Sequence, residues 1–336
     1  MNLGPMAAPL AGLFELGVCL RRLAYDRGWL AVAPAPVTTV SVGGLEVGGT
    51  GKTPVTEKLL GAFLRCGRRA ALLTRGYGRI TRGLVLRRID ERVDPMTIGD
   101  EPAMLVASGL NILVAASERR PLGMQALCAQ GVDTVVMDDA FSHRAQARHV
   151  DIVVLSGEAP FGNGHLMPWG ALREPPSSLR RANVVWLHFR REAALTEPEW
   201  WRRLCGHAVR VVSEARVSPA VDANGTATDL AGRRVLAAAG IARPSEFFRA
   251  VESLGADVVE RLSLSDHARF DVAAVERLNA LAVRPGATSV VVTPKDAIKL
   301  KPIWRGLPLI VVGTWVDIKL GATELAHVLG VPTDLL

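Results

Sequence analysis

The run Gly48-Gly49-Thr50-Gly51-Lys52-Thr53-Pro54 constrains the fold more than any other part of the chain. A β-branched segment at 38–42 precedes it and reads as a short buried strand, and an amphipathic helical rhythm follows over 53–64. Strand, glycine-rich turn and helix together form the phosphate cradle of a P-loop nucleotide-binding protein. Glycines let backbone N–H groups converge on an anion, and the helix N-terminus adds partial positive charge at the same point. The nucleotide-binding set is therefore expected at Glu46, Val47, Gly48, Gly49, Thr50, Gly51, Lys52 and Thr53. Lys52 is expected to reach the β- and γ-phosphates and the Thr53 hydroxyl to sit on Mg²⁺. One position departs from the usual pattern: Glu46 stands where a glycine is normally found, five residues before Gly51. Gly-Lys-Thr alone also suits an ordinary strand–turn–helix, and the flanking strand and helix are what favour the phosphate cradle.

Beyond the cradle, short apolar runs alternate with helical patterns, which signals a mostly parallel sheet with helices on both faces. Strands are predicted at 70–74, 111–115, 133–137, 151–155 and 183–187, and helices beginning near Glu101, Ser117 and Pro198. After His207 the texture changes: 209–217 and the polar turn at 222–228 read as a β-ribbon. A second alternating block follows, with strands at 235–239 and 289–293 and a helix over 244–254. The expected division is an N-terminal helix at 1–28, a P-loop domain at 29–207, a ribbon linker at 208–230 and a smaller α/β domain at 231–336. The fold class is thus α/β, P-loop NTPase-like, with a second α/β domain joined by a β-ribbon.

Charge and cysteines limit the partners. The net charge of +7 rests on 34 arginines against only 6 lysines. That surplus suits a surface meeting phosphates or an anionic leaflet, and equally a solvated arginine-rich surface. Cys19, Cys66, Cys128 and Cys205 stand apart with no Cys-x-x-Cys pair, which argues against a metal site or disulfide framework. The segment 10–23 is apolar around most of a helix but is interrupted by Glu15 and followed by Arg21 and Arg22. It is too short and too charged to span a bilayer, which takes about 20 apolar residues. Two readings remain open: a helix lying in the membrane interface, and a helix packed on its own domain.

Candidate chemistry gathers at strand ends, where open α/β sheets bind ligands. Val135-Val136-Met137-Asp138-Asp139 has the form of a Walker B strand that organises Mg²⁺. Gly99-Asp100-Glu101-Pro102 places two acids at a turn opening a helix; an acidic first turn is its plainer explanation. Arg75-Gly76-Tyr77-Gly78-Arg79 is a basic loop directly after a strand, and Asp266-His267 follows a polar turn in the second block.

The ordered set GGTGKTP, RGYGR, GDEP, DDAFSHR, FGNG, LRE, AGIARPSEFF, SDHARF and TPKDAIKL resembles the tetraacyldisaccharide 4′-kinase (lipid A 4′-kinase) family over about 40–300. The resemblance implies transfer of the ATP γ-phosphate to the 4′-hydroxyl of a tetraacylated glucosamine disaccharide 1-phosphate, giving lipid IVA. It implies a membrane-associating N-terminal helix and action at the cytoplasmic face of the bacterial inner membrane. Carried over residue by residue, Lys52 and Thr53 hold phosphates and metal. Asp100 is the catalytic carboxylate with His267 as its partner, and Glu101, Asp138 and Asp139 organise Mg²⁺. Arg75, Arg173 and one of Arg119 and Arg120, with Arg120 favoured by spacing, contact substrate or phosphate. Gly44, Ala140, Ser142 and Pro294 depart from the family pattern, none of them at a proposed base, lysine or metal ligand. No nucleic-acid partner is expected, and the sequence carries no reading of oligomeric state or acyl-chain preference. A P-loop GTPase-type switch is the alternative class, for which Thr293-Pro294-Lys295-Asp296 nearly supplies a guanine-reading motif. A soluble P-loop ligase or small-molecule kinase is a third, which leaves the apolar N-terminus without a purpose.

Overall fold

A computed structural model describes residues 8–88, 94–107, 109–265 and 270–336. His267 and Asp266 lie outside the described residues. In chain order the helices are α1 (Ala8–Asp26), α2 (Lys52–Arg65), α3 (Pro95–Ile98), α4 (Asp100–Ala107), α5 (Arg120–Ala129), α6 (Trp201–Cys205), α7 (Pro244–Ser253), α8 (Val272–Val283), α9 (Pro294–Leu300) and α10 (Ala322–Leu329). The strands run β1 (Thr38–Gly43), β2 (Ala70–Thr74), β3 (Val85–Arg88), β4 (Leu113–Ala116), β5 (Thr134–Asp138), β6 (Val150–Ser156) and β7 (Val184–Phe189). They continue with β8 (Val209–Val217), β9 (Val221–Asp222), β10 (Arg234–Ala239), β11 (Asp257–Ser263), β12 (Ser289–Val292), β13 (Leu309–Val311) and β14 (Thr314–Leu320).

Two sheets result. The larger has the order β14-β8-β7-β6-β1-β5-β2-β4-β3 and is parallel except at its edges, where β3 and β14 run antiparallel to their neighbours. The smaller has the order β11-β10-β12-β13-β9, with only β9 antiparallel. Strand residues alternate between the two faces, as the two-residue period requires. Val136, Val40 and Val42 pack with Val55, Leu59 and Phe63 of α2. Val135 and Met137 face the other way, against Met124 and Leu127 of α5. Phe63 and Leu59 are fully buried, and each such burial stabilises by roughly 1.5–3 kcal/mol. In the smaller sheet Val235, Ala237 and Ala239 meet Phe247 and Phe248 of α7, while Leu236 and Ala238 meet Val275 and Leu278 of α8.

Sheet membership departs from the expected linker at 208–230 and C-terminal domain at 231–336. β8 is a full member of the larger sheet, paired parallel to β7 from Val184↔Val209 to Phe189↔Glu214. β14 returns to that sheet and pairs antiparallel with β8. α10 then packs Leu325 and Leu329 into the same core as α2. The two-stranded connection is thus β8 with β14, distant in sequence, and only the short β9 turn belongs to the smaller sheet. The reason is burial: the apolar faces of 209–217 and 314–329 fit the open edge left by β7.

Helix α1 packs on its own domain along one side and leaves other apolar side chains exposed. Phe14 and Val18 pack against the core holding Leu179 and Trp201. Arg144 clamps the helix end by donating to Asp26 Oδ1 at 2.7 Å and stacking over Tyr25. Leu10, Leu13, Leu16, Leu20 and Leu23 remain exposed along the helix, and Trp29 beyond it is 68% exposed. Among the described residues no helix is long and apolar enough to cross a membrane.

Candidate active site

The glycine-rich turn expected to cradle phosphates forms at the carboxyl edge of the larger sheet, where β1 ends and α2 begins. Gly51 caps α2 in a left-handed conformation (φ 90°), and a Cβ there would lie 2.3 Å from His188 Cδ2. Only glycine fits both the dihedral and the space. His188 is buried below the loop with Nδ1 2.9 Å from Ser213 Oγ, which also accepts from Trp186 Nε1 at 2.6 Å. Burial drives the His188 imidazole down to about 4, so it sits neutral under the cradle. Arg190 holds the loop from the side by donating to the Gly49 carbonyl at 2.8 Å. It also lies 3.7 Å from Glu158 and 3.8 Å from Glu246 of α7.

Lys52 opens α2 and folds back over the loop. Its Nζ donates to the Gly48 carbonyl at 3.2 Å and lies 3.9 Å from Asp139 Oδ1. Thr53 follows it, half-buried in the first turn. Glu46, in place of the usual glycine, is tied by its backbone: it bridges Leu172, and its carbonyl accepts from Arg173 Nη2 at 3.0 Å. Burial raises the Glu46 carboxyl above its ordinary range against the pull of Lys52, Arg190 and Arg243. Its Oε1 is buried without a hydrogen-bond partner among the described residues. Val47 donates its N–H to the Ala171 carbonyl at 2.9 Å, and Gly48 takes φ 121° in open space.

The acids lie on the neighbouring strand end. Asp138 ends β5, and Asp139 just beyond takes a left-handed backbone (φ 44°), rare for a residue with a side chain. Arg173 grips the Asp139 carboxylate with two bonds, at 2.7 and 3.0 Å. Burial raises the Asp139 carboxyl, but the Arg173 bonds and the charges of Lys52, Arg173 and Arg120 outweigh it and hold it below its ordinary range. Glu101, near the start of α4, is pushed up to about 8 by burial and then by the charge and hydrogen bond of Asp138. Crowded carboxylates of this kind are a donor set that a divalent cation would relieve. Among the described residues no group of three or more His, Cys, Asp or Glu side chains could hold a metal by itself. Mg²⁺ is commonly held by only one or two carboxylates, with substrate phosphates and water completing its shell.

Asp100 is buried at the first position of α4, and its Oδ2 meets Lys299 Nζ of α9 at 2.8 Å. Its expected partner His267 is outside the described residues. Arg75 is exposed just past the end of β2, on the open side of this edge. Arg120 has a different task from the expected one. It is 2% exposed, its Nη1 donates to the Leu73 carbonyl at 2.7 Å and its Nη2 to the Asp138 carbonyl at 2.6 Å. It therefore fixes the ends of β2 and β5 and positions the acidic pair from beneath. The cause is its place at the first turn of α5, which aims the side chain into the sheet edge rather than out to ligand. Sequence reasoning did not single out Lys299, Arg190 or His188; each lies in a segment whose local pattern gives no sign of its long-range partner.

The near-guanine motif also resolves structurally. Thr293 caps α9, Pro294 occupies its first turn where proline is favoured, and Asp296 is buried, accepting from Gly240 N at 2.9 Å and Thr293 Oγ1 at 2.7 Å. Asp296 is thereby committed to holding α9 against the end of β10, which removes the feature that favoured a GTPase switch.

Comparison with known proteins agrees with this geometry. The family model for tetraacyldisaccharide-1-P 4′-kinase matches residues 3–329. A tetraacyldisaccharide 4′-kinase of Anaeromyxobacter dehalogenans (strain 2CP-C) is 40% identical over 324 residues, covering 89% of this chain and 84% of that protein. One from Chromobacterium violaceum is 37% identical over 306 residues, covering 88% and 83%. The crystal structure of the "apo" form of LpxK from Aquifex aeolicus in complex with ATP superposes with a TM-score of 0.79 at 26% identity, covering 97% of this chain and 98% of that one. With the cradle, the acidic strand end and a match over nearly its whole length, the chain belongs to the tetraacyldisaccharide-1-P 4′-kinase family.

Proposed function

We propose that this kinase transfers the γ-phosphate of ATP to the 4′-hydroxyl of tetraacyldisaccharide 1-phosphate, forming lipid IVA at the cytoplasmic face of the inner membrane. The observation that carries the reading is the convergence of Lys52, Asp138, Asp139 and Asp100 on one sheet edge, with Lys52 Nζ 3.9 Å from Asp139. Phosphoryl transfer needs charge neutralisation and alignment more than covalent help. The N–H groups of the glycine loop and the α2 N-terminus cradle the phosphates, and Lys52 turns from the Gly48 carbonyl onto the β- and γ-phosphates. Thr53, Asp138, Asp139 and Glu101 are the residues that would hold Mg²⁺, which when bound neutralises phosphate charge. A sugar hydroxyl has a high pKa, so a carboxylate that accepts its proton late in transfer is worth about 10²–10⁴-fold in rate. Asp100 has that role, with His267 as its family-implied partner, while Arg75 faces the incoming anionic substrate. Arg173 sets Asp139 against the loop and borders a cavity of about 390 Å³ under α1, lined also by Phe14, Val18 and Tyr25. The exposed leucines of α1 support docking on the leaflet that holds the substrate.

The test is a radiolabelled-ATP assay with detergent-solubilised tetraacyldisaccharide 1-phosphate, run on wild type and on Lys52→Ala. Label is expected in the lipid for wild type and absent for a folded Lys52→Ala. Turnover of ATP with no lipid product would reject the reading, and a Lys52→Ala enzyme as active as wild type would remove the P-loop from the mechanism.

A further inference from the structure

Asp100 meets the smaller-sheet unit through Lys299, whose Nζ donates to Asp100 Oδ2 at 2.8 Å. The two side chains are 15% and 9% exposed, so the pair is largely out of water. Exposed ion pairs contribute little, whereas breaking a buried one leaves an uncompensated charge. Both ends of the bridge are mounted rigidly. On one side Gly99 takes φ 101°, and a Cβ there would lie 2.7 Å from the Tyr77 carbonyl, so the start of α4 is pressed on the loop after β2. On the other, Asp296 pins α9 to Gly240 at the end of β10. Lys299 lies in the last turn of α9, where a cation also suits the helix dipole.

We propose that Lys299 is a positioning residue for phosphoryl transfer: it fixes the Asp100 carboxylate toward the acceptor hydroxyl, and does so only while α9 lies on α4. The proposal rests on the reading of Asp100 as proton acceptor. In the step concerned, the acceptor oxygen bonds to the γ-phosphorus, the bond from that phosphorus to the β,γ-bridging oxygen breaks to give ADP, and the hydroxyl proton passes to Asp100. Lys299 keeps its own protons throughout. Because the lysine comes from the smaller-sheet unit, a nucleotide held in the cradle meets an aligned proton acceptor only when the two units are together, which limits loss of ATP to water.

The experiment uses the full chain, radiolabelled ATP and the micellar lipid acceptor, with unfolding midpoints measured in parallel. Lys299→Met is expected to lower kcat about 10- to 100-fold, the scale of a misplaced reacting group, with the KM for ATP unchanged. Lys299→Arg, which restores the charge, is expected to recover most of the loss. In an Asp100→Asn background, adding Lys299→Met is expected to cost little more, since the lysine acts through the carboxylate. Lys299→Met with wild-type kcat beside a crippled Asp100→Asn enzyme would overturn the positioning role and leave the proton acceptor standing. Wild-type activity in Asp100→Asn would overturn both. Losses that add in full, or that follow a lowered unfolding midpoint without rescue by arginine, would make the pair structural only and reject the proposal.

Discussion

Gly51→Ala tests whether the cradle is built on the His188 imidazole as well as on the loop itself. Two separable costs follow from the geometry. A residue with a Cβ held at φ 90° is disfavoured by about 1–2 kcal/mol. The new methyl also falls 2.3 Å from His188 Cδ2 and 3.0 Å from Cγ. The ring cannot swing aside cheaply, because Ser213 holds Nδ1 at 2.9 Å and His188 is only 5% exposed. Overpacking of this kind costs about 1–3 kcal/mol, so the substitution is expected to destabilise by roughly 2–5 kcal/mol in all. His188→Ala removes the clash but not the dihedral strain. Gly51→Ala made in that background should therefore cost only about 1–2 kcal/mol. The difference is a coupling energy of about 1–3 kcal/mol, read from a double-mutant cycle. Equilibrium urea unfolding followed by tryptophan fluorescence measures it, with Trp186 in the same network as reporter. Fully additive losses, or a Gly51→Ala protein within about 0.5 kcal/mol of wild type, would show that the ring does not restrict this glycine.

Three further outcomes are expected. Asp138→Ala and Asp139→Ala should each raise the Mg²⁺ concentration needed for activity, and Mg²⁺ titrations of both that overlay wild type would remove the acidic pair from metal binding. His188 has an ordinary value of 6.5 and is driven to about 4 by burial. Unfolded His188 therefore takes up a proton that the folded protein refuses, and stability is lost as pH falls from 6.5 through 4. This contributes about 2 kcal/mol of loss at pH 5, with His143, also driven to about 4, acting in the same window. The urea midpoint of His188→Gln should fall less than that of wild type between pH 7 and pH 5, and parallel curves would refute the assignment. Replacing Leu13 and Leu20 on the exposed side of α1 by Gln should shift the protein from the membrane to the soluble fraction with ATP affinity unchanged. Unchanged fractionation would assign that face to something other than lipid.

Much was legible in the chain itself because it depends on local chemistry. The β-branched run before Gly48-Gly49-Thr50-Gly51-Lys52, the apolar period after it and the carboxylates closing 135–139 specify a strand, an anion-binding turn and a second strand end whatever surrounds them. The alternation of the smaller-sheet unit was equally plain, because its buried parallel strands are near-continuous apolar runs, as at Val235 to Ala239. What the sequence could not decide is which segments meet across long separations. β8 and β14 pair across about a hundred residues, and their polar-apolar pattern suits a free ribbon as well as a sheet edge. The same limit governs the site. Arg120 and Arg75 look alike as basic residues after strands, yet one is locked on the Leu73 and Asp138 carbonyls and the other is exposed. Lys299 reaches Asp100 across 199 positions. Local pattern fixes what a residue can do, because propensity and donor type are carried by the side chain; which charge it faces, and how far from water, is set only when the sheets have packed.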